Sequence, residues 1–325
     1  MNNETFLITG AMGCIGAWAL RNLVQAGVRV VATDLATDPV RPRLVMSEDE
    51  LAQVKFVKLD VTDLNAVRSV VEENNVTHII HLAGLQVPFC RANPSLGAQV
   101  NVVGTVNIFE AARHAGIQGL SYASSLAVLG PAEEYPEGPV GDDVPLLPRT
   151  LYGVYKVANE GTARIYWQDW AVGSVGLRPY IVYGVGRDQG MTSDIAKAVL
   201  AAAAGQPFHI RFDGPVGLQH ADDVSKMFIG AARAGYQGAA MCNLRNDITE
   251  VADFVQLLQA EAPDAQVTYA ANKPLPFPAD LDDGGLRTIL GDIPWTPIAD
   301  AIHNDFARFQ VLVNHAKIDL KQLTA

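Results

Sequence analysis

Short apolar runs alternate along the first 185 positions with longer stretches of helical periodicity. The runs read FLIT at 6–9, VRVVATD at 28–34, VKFVKLD at 54–60, THIIHLAG at 77–84, LSYAS at 120–124 and SVGLRPYIVYG at 174–184. Between them, 14–26, 63–75, 101–115 and 152–170 carry the three-to-four spacing of amphipathic helices. Unbroken apolar runs predict strands covered on both faces, and their alternation with helices predicts a parallel sheet with helices packed on each side. The expectation is an α/β fold, with a doubly wound parallel sheet over 1–184. A smaller α+β substrate lobe is expected over 185–325, where the rhythm weakens and prolines gather between 263 and 297. A helix from Asp222 to Ala234 and a strand from Ala239 to Leu244 are expected to return, as residues 220–245, to the first unit. The stretch 130–150, rich in proline and carboxylates, reads as a loop of about 20 residues, a length that is usually functional. Its acidic part, 133–143, reads as a solvated lid.

The turn after the first run, GAMGCIG, holds Gly10, Gly13 and Gly16 and leads into a helical stretch. At a strand-to-helix junction such a triplet cradles a pyrophosphate. Gly10 permits the tight turn, Gly13 lets the backbone approach, and Gly16 lets helix and strand pack closely, while the helix N-terminus at Cys14 and Ile15 faces the phosphates. Asp34 closes the second strand 18 residues beyond Gly16, where a carboxylate accepts both ribose hydroxyls and repels a 2′-phosphate. The pattern predicts a Rossmann-type unit that takes NAD in preference to NADP. Arg41 and Arg43, on the next loop, are the residues that could reverse that preference.

Composition narrows the partners. With 24 Lys+Arg against 35 Asp+Glu the net charge is −11, which disfavours nucleic acid and anionic membrane surfaces. The chain of 325 residues is 49% hydrophobic and can bury a large core, yet no apolar stretch approaches the roughly 20 residues of a membrane span. The opening MNNETFLIT lacks the basic region of a signal peptide, so a cytoplasmic location is expected. Cys14, Cys90 and Cys242 fit neither a disulfide framework nor a zinc site, and Cys14 reads as buried filler. His78 and His81, three apart on a strand, point to opposite faces, so no metal is expected.

Tyr152 and Lys156 stand four apart in LYGVYKVANEGTARIYW and share one helix face. An ammonium beside a phenol favours the phenolate and is expected to bring the Tyr152 pKa from about 10 toward about 7, making an acid/base usable at neutral pH. Taken in order, TGAMGCIG at 9–16, Asp34, Asp60-Val61, HLAG at 81–84, NVVGTVN at 101–107, ASSLAVLG at 123–130, YGVYK at 152–156 and LRPYIVYG at 177–184 resemble the extended short-chain dehydrogenase/reductase family, the NAD-dependent epimerase/dehydratase group. The resemblance spans about residues 5–235, with a looser match at 282–306. It implies that Asp60 and Val61 hold the adenine, that Ala83 and Gly84 lie beside the cofactor ribose, and that Asn101 begins the helix behind the site. It also implies that Ser125 hydrogen-bonds the reacting oxygen, with Ser124 its rival, that Tyr152 takes the proton and that Lys156 also holds the nicotinamide ribose. A homodimer through the helix ending at Tyr166, Trp167 and Trp170 is a further expectation, with packing inside the chain as the alternative for those rings.

Departures from the family pattern bear on the substrate. Ile181 stands where nucleotide-sugar members carry an Asn, VGLQHADDV at 216–224 lacks their Arg, and Leu129 replaces the tyrosine usual before Gly130. The diphosphate clamp is therefore expected to be lost. Gln86, Arg187 and Arg211 are candidate contacts to a smaller molecule, suited to a carboxylate or to several hydroxyls. His220 reads as a structural histidine. The expected function is an NAD-dependent oxidoreductase acting on a secondary alcohol of a small carbohydrate-like substrate, a sugar, sugar acid or polyol. The alternative is a sugar or nucleotide-sugar epimerase that keeps and recycles its NAD.

Overall fold

The structure, a computed structural model, describes residues 4–324. Its strands in chain order are β1 Thr5–Thr9, β2 Arg29–Asp34, β3 Lys55–Lys58, β4 His78–His81, β5 Gly119–Ala123, β6 Ser174–Arg178, β7 Ile181–Tyr183, β8 Phe208–Ile210, β9 Pro215–His220, β10 Ala239–Asn243, β11 Asp247–Glu250 and β12 Val267–Tyr269. Seven of them form one sheet in the order β3-β2-β1-β4-β5-β6-β10, every neighbour parallel. The apolar residues of β1 divide between the faces as a period of two requires. Phe6 and Ile8 pack with Leu20 of the helix Cys14–Gln25 and Phe228 of the helix Ala221–Arg233, while Leu7 packs with Val67, Phe109 and Ala163 from three helices on the other face. The chain reverses its direction of winding between β1 and β4, so a crevice opens beyond the carboxyl ends of those strands.

β10 pairs with β6 and forms an edge of the large sheet, and the helix Ala221–Arg233 precedes it. The apolar run 174–184, by contrast, is two strands in two sheets. Proline has no N–H to donate to a ladder, and at Pro179 the chain leaves the large sheet. β7 then joins β9 and β11 in a three-stranded sheet, and β8 pairs with β12 separately.

Segment 130–150 is docked, which corrects the expectation of a solvated lid. Tyr135 and Val140 are buried against Leu126, Val128 and Leu129. Tyr135 Oη accepts from Gly130 N at 2.8 Å and donates to the Pro145 carbonyl at 3.1 Å, while the Asp142 carboxylate accepts from Asn243 N at 2.6 Å. These few apolar and aspartyl anchors outweigh the surrounding exposed carboxylates. No helix among the described residues is long and apolar enough to cross a membrane.

Candidate active site

The crevice is a cavity of about 770 Å³ running from the Gly-rich turn to the loops around Arg187 and Phe277. At its nucleotide end Gly10 has φ +68°, and a Cβ there would fall 2.7 Å from Ala83 N; one on Gly16 would fall 2.6 Å from the Gly10 carbonyl. Only glycine lets the turn, the helix and the end of β4 approach this closely. The helix Cys14–Gln25 has no side-chain cap and no acidic residue in its first turn. The amides of Cys14, Ile15 and Gly16 thus lack intrahelical acceptors and line the cavity, where an anion can take them. Asp34, at the end of β2, accepts from Met12 N at 3.1 Å and Leu35 N at 2.8 Å and also lines the cavity.

The two arginines that could have favoured a 2′-phosphate are occupied. Arg41 donates to the Met12 carbonyl at 3.0 Å and pairs with Asp188 at 2.8 Å, and Arg43 pairs with the exposed Asp38. A glycine cradle, free first-turn amides and an uncountered Asp34 carboxylate fit a dinucleotide without that phosphate. Asp60, Val61, Ala83 and Gly84 line the same end. Asp60 also ties its own loop through Thr62 N and Thr62 Oγ1, and the Val61 carbonyl accepts from the buried Asn107 side chain at 2.9 Å.

Tyr152 and Lys156 enter from the helix Leu151–Trp170, which Thr150 caps by accepting from Gly153 N at 3.0 Å. Lys156 Nζ lies 5.5 Å from the centre of the Tyr152 ring and donates to the Ala123 carbonyl at 2.7 Å. Burial pushes its pKa down to about 8. The expected lowering of the Tyr152 pKa is not found: burial pushes the phenol above its ordinary value, against a hydrogen bond from Ser125 and the nearby charge of Arg187, which both favour the phenolate. Desolvation outweighs these partners, and the ammonium is committed to the Ala123 carbonyl. Ser124 and Ser125 both line the cavity, but Ser125 is within hydrogen-bond reach of Tyr152, whereas Ser124 Oγ is committed to Glu160 Oε1 at 2.5 Å.

Behind these residues is an ion pair that sequence reasoning missed. Arg178 donates to both oxygens of Glu160, at 2.9 and 2.8 Å, with 2% and 6% of the two side chains exposed. Glu160 lies one helical turn beyond Lys156, a spacing that could have flagged it. A second missed feature is His81. It bridges Thr9 Oγ1 at 2.7 Å and Thr105 Oγ1 at 3.1 Å, and burial lowers its pKa to about 3, so it is neutral and structural. His78 stacks on Phe6 instead, and no metal-binding cluster occurs among the described residues. Burial raises the Cys14 thiol to about 12, which suits a filler and not a nucleophile.

Gln86 and Arg187 line the cavity with Ser125 and Tyr152, but two candidates do not. Arg211 points out of it: 60% of its side chain is exposed and its guanidinium grips the buried Asp194 at 2.7 Å. Asn101 does not begin a helix. It lies in a π-helical turn, Gln99–Val103, that runs on into the helix Gly104–Ala115, and its amide donates to the carbonyls of Leu85 and Gly97, at 3.1 and 3.0 Å. His220 likewise stays out of the cavity, 3.3 Å from Asp305 and edge-on to Trp18 and Tyr183.

The profile of the NAD dependent epimerase/dehydratase family matches residues 6–244. The chain belongs to that family. NAD is its cofactor, in agreement with the cradle described above. The UDP-glucose 4-epimerase of Mycolicibacterium smegmatis is 32% identical over 231 residues, which is 69% of this chain and 72% of that one. Among solved structures, the UDP-glucose 4-epimerase of Thermotoga maritima, with UDP-glucose, superposes with a TM-score of 0.82 at 19% identity, over 95% of this chain and all of that chain. A partial-consensus L-threonine 3-dehydrogenase does so at 0.81 and 22% identity, over 95% and 100%. Members of one fold thus include an epimerase and a dehydrogenase, and the site has to separate the two.

Proposed function

We propose that the family member described here is an NAD-dependent dehydrogenase of a secondary alcohol in a small carbohydrate-like molecule. The observation that carries the reading is the contact of Ser125 with Tyr152 in the same cavity as the Gly-rich turn. When bound, NAD accepts the hydride that leaves the carbinol carbon. Tyr152 Oη takes the hydroxyl proton and Ser125 Oγ holds the same oxygen, while Lys156 anchors the ribose and Asp34 the adenosine. Burial favours the protonated phenol, which suits Tyr152 to donate the proton when the reaction runs toward the alcohol; for oxidation it must first ionise, which the hydrogen bond from Ser125 and the charge of Arg187 favour.

What replaces the diphosphate clamp limits the substrate to a small molecule. The Ile181 side chain is fully buried and has no donor for a phosphate, and residues 216–218, in the stretch that lacks the family's Arg, are buried Val, Gly and Leu. A second reading, an epimerase with recycled NAD, is favoured by the named activity of the mycobacterial relative. A cytoplasmic homodimer completes the proposal. The helix Leu151–Trp170 leaves Leu151, Val154, Ile165 and Trp170 exposed for a partner, although Tyr166 and Trp170 also pack on each other within the chain, 4.9 Å apart.

The test is absorbance of reduced nicotinamide with excess NAD and, separately, free sugars, sugar acids, polyols and UDP-sugars. Many turnovers of NADH on a free carbohydrate support the dehydrogenase. An isomerised sugar without NADH moves the reading to the epimerase, and neither product in any well sinks both.

A further inference from the structure

Arg187 is a cation without a counter-ion in a chain whose net charge is −11. Its side chain makes no hydrogen bond or ion pair among the described residues, and its Nε is buried with no partner. Its loop is nevertheless fixed. Trp18 Nε1 donates to the Val185 carbonyl at 3.0 Å, and the neighbouring Asp188 is held by Arg41, which is itself bonded to the Met12 carbonyl of the Gly-rich turn. The guanidinium is therefore positioned by its surroundings while its own donors stay unused. An unpaired buried donor is costly, and the cost is relieved by an anion that accepts from it.

Gln86 meets the arginine at Gly190. That glycine has φ +104°, and a Cβ there would fall 2.5 Å from Gln86 Oε1 and 3.0 Å from Arg187 Nη2. The two heads thus converge on one point of the wall, close enough to the chemistry for the arginine's charge to act on Tyr152. Charge elsewhere on the wall agrees. The carboxylates Asp34, Asp38 and Asp60 belong to the nucleotide end, Asp188 is neutralised by Arg41, and Arg149 is paired with Glu134. Lys156, the other cation near Tyr152, is turned to the Ala123 carbonyl and is assigned to the ribose, so an acidic group near Tyr152 would find Arg187 as its uncommitted partner.

Resting on the dehydrogenase reading, we infer that the substrate is a small polyhydroxy carboxylate, its carboxylate held by Arg187 and Gln86 while Ser125 and Tyr152 engage the carbinol. Arginine suits this task because its planar fork matches a carboxylate with two parallel donors, which a neutral sugar hydroxyl cannot accept as well.

The test uses the purified full chain saturated with NAD and matched pairs that differ by the acid: glycerate and glycerol, threonate and threitol, gluconate and glucitol, glucuronate and glucose. The acid of at least one pair should exceed its neutral partner in kcat/KM by about 100-fold, and Arg187→Met should cancel most of that margin while NAD affinity stays within about twofold. Equal use of acid and neutral partner overturns the carboxylate site and leaves the redox reading standing. An Arg187→Met protein that loses NAD as strongly as it loses the acid also overturns it, since the arginine then serves the dinucleotide. If no compound is oxidised, the redox reading falls. Calorimetry of the same four acids on the NAD complex then decides the site alone: binding lost in Arg187→Met supports it, and absence of binding in the wild type overturns it. Gly190→Ala, which crowds Gln86 and Arg187 from the backbone, should reproduce the arginine variant's loss of acid preference.

Discussion

At its nucleotide end the cavity is walled by the carboxyl ends of β1, β2 and β3, whereas its other end is walled by residues 186–189, 191–192 and 275–277, in the loops that follow β7 and β12. In the first region the ligand-facing groups are backbone amides and a carboxylate that terminate paired strands, so the ladder itself sets their positions. In the second they are side chains on loops, held by single contacts such as Arg41 to Asp188 and Trp18 to the Val185 carbonyl. On the proposed function, the difference teaches that cofactor recognition sits in the rigid part of the chain and substrate recognition in a part where one substitution can change the outcome.

Four experiments press on that contrast. At the junction of the two regions, Tyr152→Phe should cost about 10³-fold or more in kcat, within the upper range for loss of a general acid/base, while NAD affinity measured by fluorescence stays nearly intact. Most of the activity surviving would mean that the two ends meet somewhere other than Tyr152. Next in size, Asp34→Ala should narrow the NAD-over-NADP preference by about tenfold in the ratio of dissociation constants, because the carboxylate that accepts ribose hydroxyls and repels a phosphate is gone. An unchanged ratio would show that the ends of the strands do not select the cofactor.

A smaller effect is expected at the docked segment 130–150. Burial raises the Asp142 carboxyl to about 6. A carboxyl whose folded pKa lies above its unfolded value binds more protons when folded, so its contribution to stability falls as pH rises from about 4 to about 6 and stays low above that. Asp142→Asn keeps an oxygen for Asn243 N without the charge. It should raise stability by about 1 kcal/mol at pH 7.5, after allowance for solvent screening, and by nothing near pH 4, as read from denaturant midpoints. A gain of equal size at both pH values would mean that the segment is not anchored through this carboxylate. Least of all for activity, Arg211→Ala should leave kcat/KM within about twofold, since its guanidinium faces Asp194 outside the cavity; its cost falls on stability, about 1–3 kcal/mol, because the buried Asp194 carboxylate keeps only the backbone N–H of position 211. A large rise in KM would bring Arg211 back to the substrate.

How legible each region was follows the same contrast. The Gly-rich turn, Asp34 and the Tyr152–Lys156 spacing are readable because each is a short-range requirement: a positive φ, a strand end, one turn of helix. The strands of the large sheet are readable for the same reason, except at Pro179, where an apolar run hides a change of sheet. Arg211 and Arg187 look alike in sequence, each a lone cation on a loop, yet one is neutralised by Asp194 and the other is not. Nothing local distinguishes them. Asn101 falls where the family pattern puts a helix start, but the short helices Val87–Ala92 and Pro94–Ala98 precede it, and the backbone already runs on through a π-helical turn.

By itself, the order of apolar runs and helical stretches determined a doubly wound sheet, and the residues between them determined a dinucleotide cradle and a Tyr/Lys pair on one helix face. Tertiary structure alone decided that Ser124 serves Glu160 while Ser125 faces Tyr152, that Tyr152 is held protonated by burial, and that Arg187 keeps its guanidinium unpaired in the cavity. The physical reason is range. Strand, turn and helix preferences act over a few residues, whereas desolvation and ion pairing depend on groups that fold close together from distant parts of the chain.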